Sequence, residues 1–64
     1  MQNKVKEYRE NEGLTQEELA KKSDVSRNTI SSIETGANTN VTYEIMDKIA
    51  KALNEKVTTI FFNE

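Results

Sequence analysis

One short unit recurs along this chain: an apolar residue, a hydroxyl residue directly after it, and a second apolar residue five positions beyond the first. It occurs as Leu14, Thr15, Leu19, then Val25, Ser26, Ile30, then Val41, Thr42, Met46, and again as Val57, Thr58, Phe62. A Ser or Thr before a helix accepts a hydrogen bond from an otherwise unpaired backbone N–H of the first turn, and apolar residues on either side of that cap pack together as a staple. Four such units in 64 residues therefore predict a chain of short, successive helices. Thr15 adds Glu18 three residues later, the pattern of a capping box. The stops agree with the starts: Gly13, Asp24, Gly36 and Asn54 fall where helices should end, and each is a residue type that enters the left-handed region.

With Asn3 as the cap of a first helix, the spacing predicts helices near 3–12, 15–23, 26–35 and 42–53, and a fifth helical turn near 58–62. In the first helix Val5 and Tyr8 face the core. In the fourth, Tyr43, Met46, Ile49, Ala50 and Leu53 follow the 3.6-residue period, with Ile45 beside the stripe. The segment VTTIFF suits a strand as well as a helix by its β-branched and aromatic content, and the helical turn is favoured. The expected fold class is all-α: a compact domain of four to five helices spanning 1–64, with a helix-turn-helix at 15–36.

Within 15–36 the apolar residues Leu19, Ala20, Val25, Ile30 and Ile33 fall where two packed helices need them. The small Ala20 permits close approach, and Asp24 takes the turn position. The second helix carries Arg27, Asn28 and Ser32 on one polar side while Ile30 and Ile33 point the other way. A helix held by a core through one face and polar on the other is suited to reading DNA. Each of these polar residues taken alone would equally suit a solvated surface.

Composition narrows the classes. With no Cys and no His, disulfides, thiolate nucleophiles, imidazole bases and nearly all zinc or haem sites are removed. No nucleophile, base and orienting group fall at a telling spacing, so no enzyme, metal or cofactor is expected. No apolar run nears the roughly 20 residues needed to span a bilayer, and MQNKVKEYRE has no signal-peptide character, so a cytoplasmic protein without a membrane partner is expected. The formal charge of -2 argues against a general polyanion binder. DNA binding requires the acidic side chains to lie away from the DNA face, with neutral donors making much of the phosphate contact.

The run LTQEELAKKSDVSRNTISSIETG, with Val5, Tyr8 and Arg9 before it and KIAKAL after it, resembles the helix-turn-helix family of phage repressors and Cro proteins, often called the XRE family. The resemblance covers nearly the whole chain and implies a lambda-repressor-like fold. It implies that 15–23 lies across the DNA backbone and that 26–35 enters the major groove. Arg27, Asn28 and Ser32 match base-reading positions, with Ser31 weaker. Gln16, Ser26 and Thr35 match phosphate-contact positions. Lys6 and Lys4 are candidates for more distal phosphates, whereas Lys21 and Lys22 suit a solvated face. The chemistry agrees independently, since Arg pairs bidentately with guanine and Asn with adenine. Arg9 and Glu34 match a pair that ties the first helix to the reading helix in the family; otherwise they are an ordinary surface salt bridge.

Two departures stand out. The usual Gly of the turn is Asp24, and the loop ANTNV, where relatives carry Lys or Arg and a Pro, has no cation and is one residue longer. Asn38 and Asn40, with Thr39, can donate to phosphate but release few counterions, so a shallow salt dependence is expected. The expected function is transcriptional regulation, as a repressor of bacterial, phage or mobile-element origin. The partner is double-stranded DNA carrying an inverted repeat, bound by a homodimer with no small-molecule effector. Ile45, Phe61 and Phe62 are the candidate dimer contacts, the two Phe within a C-terminal dimerisation segment 54–64 and Ile45 on the fourth helix. Both Phe rings could instead close the core. The alternative function is a protein-interaction module built on the same fold, such as an antitoxin or a phage antirepressor.

Overall fold

The computed structural model describes residues 3–37 and 40–62. Among them the chain forms α1 (Val5–Asn11), α2 (Gln16–Ser23), α3 (Arg27–Thr35), α4 (Tyr43–Ala52) and α5 (Val57–Phe61), with no strand. The all-α class and the helix-turn-helix are as expected, and VTTIF of the ambiguous VTTIFF is helical.

Three of the four sequence units act as helix starts. Thr15, Ser26 and Thr42 each sit in extended backbone and accept from the N–H three residues on, at Glu18, Thr29 and Ile45. At Thr15 the box closes, because Glu18 Oε1 accepts from the Thr15 N–H at 2.8 Å. These hydrogen bonds from Thr15 hold the Glu18 carboxyl below its ordinary pKa. Asn3 caps α1 one residue ahead of its formal boundary at Lys4: its Oδ1 accepts from the Val5 N–H at 3.0 Å.

The fourth unit is displaced. The backbone turns into α5 at Lys56, which offers no side-chain cap, so Val57 opens the helix and Thr58 is not its cap. Val57, Ile60 and Phe61 then form the i, i+3, i+4 stripe that enters the core, and Phe62 is left 56% exposed. The staple from Val57 to Phe62 therefore does not form. Tyr43 is a second correction: it is 67% exposed, because the apolar stripe of α4 outruns the core at its N-terminal end. Ile45 packs against the core instead, with Ala52 buried on the same flank.

All four expected stops have positive φ: Gly13 at 71°, Asp24 at 60°, Gly36 at 81° and Asn54 at 58°. After three of them the next N–H reaches back five residues, from Leu14 to the Arg9 carbonyl, from Val25 to that of Ala20, and from Glu55 to that of Ala50. These are Schellman closures, which satisfy last-turn carbonyls. Asp24 takes this conformation at a cost of about 1–2 kcal/mol, partly relieved by its short polar side chain. Asp24→Gly relieves the strain but loses about 0.4–1 kcal/mol to a freer unfolded chain. The net expectation is a gain of about 0.5–1 kcal/mol, seen as a melting temperature several degrees higher by circular dichroism.

The core is drawn from every helix. Val5, Leu19, Ile30, Ile33, Ile49 and Ile60 are its fully buried large side chains, each stabilising by about 1.5–3 kcal/mol. α2 packs on α3 and α4, α4 on α5, and α1 on α3 and α5. The core thus holds α3 through Ile30 and Ile33 and leaves its opposite side to solvent.

Candidate nucleic-acid interface

The cap at Ser26 and the inward Ile30 and Ile33 fix which side of α3 is outward. Arg27 and Asn28 are exposed in its first turn. Neither side chain makes a hydrogen bond or ion pair among the described residues, so both are available to an external partner. Ser31 and Ser32 are half-buried one turn later. The structure brings these four residues to the accessible part of one short helix.

The candidate phosphate contacts are less uniform. Ser26 Oγ accepts from the Thr29 N–H at 3.1 Å and donates to Thr29 Oγ1 at 2.8 Å. Thr35 Oγ1 donates to the Ser32 carbonyl at 3.2 Å. Both hydroxyls are therefore already engaged within the helix. Lys6 and Asn40 are exposed, and Asn38 lies outside the described residues. Gln16 Nε2 donates to Glu34 Oε1 at 3.0 Å, which uses one of its two amide protons and leaves the other.

That Gln16 contact belongs to a network at the base of α3. Arg9 Nε donates to Glu34 Oε2 at 2.7 Å and Arg9 Nη2 to Glu34 Oε1 at 3.1 Å, a bidentate pair. Arg9 Nη1 donates to the Leu14 carbonyl at 2.7 Å. The Glu34 side chain is 3% exposed and that of Arg9 11%, so the pair is buried and not an ordinary surface bridge. Hydrogen bonding to Glu34 raises the Arg9 pKa above its ordinary value, against the opposing pull of burial. The network ties α1, the start of α2 and the end of α3 together, and it removes a carboxylate from the outward face of α3.

Further anchors had no signal in the sequence pattern. Asn3 Nδ2 donates to the Ile33 carbonyl at 2.9 Å across thirty residues of sequence, and the Lys4 N–H donates to the Ile60 carbonyl at 2.9 Å. Asn3 suggested a cap, and nothing in its neighbours suggested a second bond. Of the candidate dimer residues, Phe61 is a correction: at 4% exposure its ring belongs to this chain's own core. Ile45 is half-buried and Phe62 exposed.

Comparison with known proteins agrees with this geometry. The helix-turn-helix family profile matches residues 5–60. The chain is similar to a helix-turn-helix-type transcriptional regulator of Methanocaldococcus jannaschii, 47% identical over 64 residues that cover 100% of this chain and 96% of that protein. It is also similar to the helix-turn-helix-type transcriptional regulator SinR of Bacillus subtilis, 33% identical over 57 residues, 89% of this chain and 51% of SinR. A crystal structure of SinR with DNA superposes with a TM-score of 0.82 at 34% identity, covering 86% of this chain and 87% of that one. The SinR chain solved with SinI gives the same score and is covered over 53% of its length. With its two capped helices, its buried tie between α1 and α3, and these relatives, the chain belongs to the helix-turn-helix family of phage repressor and Cro type.

Proposed function

We propose that this protein is a sequence-specific DNA-binding transcriptional regulator of the cytoplasm and nucleoid, a repressor that binds an inverted-repeat operator as a homodimer. The observation that carries the reading is the division of α3: Ile30, Ile33 and Glu34 are committed inward, while Arg27 and Asn28 stand exposed without partners among the described residues. SinR, a relative, is solved with DNA, which supports the same use of this fold. Arg27 and Asn28 read base edges, Ser32 and Ser31 add weaker contacts, and Gln16, Lys6, Ser26, Thr35, Asn38 and Asn40 serve the backbone. Selection from random duplex DNA tests this directly. Enrichment of a short inverted repeat supports it, and no enrichment even at low salt rejects it.

Homodimerisation places two reading helices about 34–36 Å apart, one turn of duplex. The patch proposed for it is Phe62 with Ile45. Phe62→Ser is expected to shift sedimentation from dimer to monomer while leaving the melting temperature within a few degrees, since the ring is 56% exposed. A wild-type chain that sediments as a monomer both free and on DNA removes the dimer. The second reading, a protein-interaction module, draws on the solved complex of SinR with SinI. In that case the selection fails while Phe62→Ser still alters association.

A further inference from the structure

We propose that Asn3 is a positioning residue for DNA reading: its carboxamide clamps the C-terminal turn of α3 to the start of α1 and so helps set the angle at which Arg27 and Asn28 meet base edges. This rests on the DNA-binding function proposed above. The side chain bridges two elements at once. Oδ1 accepts from the Val5 N–H at 3.0 Å, and Nδ2 donates to the Ile33 carbonyl at 2.9 Å. That carbonyl also receives the Gly36 N–H at 3.1 Å, where the backbone leaves α3 at a φ of 81°.

The strap carrying Asn3 has its own anchor, because the next residue, Lys4, donates its N–H to the Ile60 carbonyl of α5 at 2.9 Å. Asn3 is therefore fixed from the body of the protein and does not simply follow α3. The core holds α3 through Ile30 and Ile33, and the Arg9 to Glu34 pair holds its C-terminal end through a side chain. The Asn3 bond grips the backbone one residue earlier and so restrains the tilt of that end directly. Geometry sets the stakes. At a rise of about 1.5 Å per residue, Arg27 lies about 9 Å along the axis from Ile33, and a tilt of about 5° displaces it by about 0.8 Å. Bidentate base contacts hold only within a few tenths of an ångström.

Only a group that accepts and donates at this reach can do both tasks, and the carboxamide is one. Asn3→Asp separates them. A carboxylate still accepts from the Val5 N–H and favours the N-terminus of α1, but it cannot donate to the Ile33 carbonyl. The test compares wild type and Asn3→Asp on the duplex selected by wild type and on the same duplex substituted at one half-site position. Discrimination is expected to fall about tenfold, the scale of one misplaced base contact. The added carboxylate beside Lys4 and Lys6 lowers affinity for every duplex by about the same factor, which cancels from the ratio that reads discrimination.

Unchanged discrimination, or a variant that no longer folds, overturns the proposal. A second measurement needs no variant: in the wild-type amide spectrum, one Asn3 Nδ2 proton should be protected from exchange and show cross-peaks to Ile33 and Glu34, and their absence overturns the clamp. If wild type itself enriches no sequence, the DNA-binding function has failed, and the spectrum still decides whether the clamp exists.

Discussion

Glu34→Ala is expected to lower stability by about 3–5 kcal/mol, since removing one partner strands the other charge in the interior. A chain of this size has only about 3–10 kcal/mol in total, so the variant should be largely unfolded near physiological temperature. The Arg9 guanidinium would keep only its bond to the Leu14 carbonyl and a distant Glu10 carboxylate at 4.0 Å. The double substitution Arg9→Met with Glu34→Leu should be less damaging than Glu34→Ala, because no unpaired charge remains. Urea denaturation of the wild type and the two variants measures this, and a cost below about 1 kcal/mol for Glu34→Ala would mean the pair behaves as an exposed one. Gln16→Ala removes one further donor from Glu34 and should cost about 1 kcal/mol.

Arg27→Ala is expected to do the reverse, leaving stability within about 0.5 kcal/mol, as for a surface residue without partners, while relaxing base choice. At one position per half-site the preference should shrink by about 1–3 kcal/mol, up to roughly a hundredfold. Competition binding with single-position operator variants reads this out position by position. Gln16→Ala should weaken all sequences about equally. If Arg27→Ala and Gln16→Ala gave the same profile, the outward register of α3 would be misassigned to base reading.

The parts of the fold legible in the sequence are the ones decided locally. A hydroxyl three residues before an N–H is a local matter, and so is the sign of φ at Asp24 or Asn54; both were readable without the fold. Periodicity indicates which face of a helix turns inward but not how far along the helix the core extends, and Tyr43, on the stripe, stands in solvent for that reason. Thr58 is a residue suited to a cap, yet the stripe of Val57, Ile60 and Phe61 sets the start of α5 earlier, at Val57, burying Phe61 and leaving Phe62 exposed. At the interface, the polar stripe of α3 was visible as spacing. The union of Arg9 with Glu34 came from family resemblance, and the bonds of Asn3 to Ile33 and Gln16 to Glu34 join residues far apart in sequence with no periodic trace.

The sparse positive charge around α3 carries a consequence at the scale of a chromosome. Arg27 is the sole cation in RNTISSIET, and the following ANTNV has none. Every stretch of genomic duplex competes for such a protein through its phosphates, with about 10⁶–10⁹ rival sites in a cell. A reading helix that attracts phosphate weakly loses fewer copies to that background. On the DNA-binding function proposed above, a modest absolute affinity then still yields high occupancy of a specific site at low copy number.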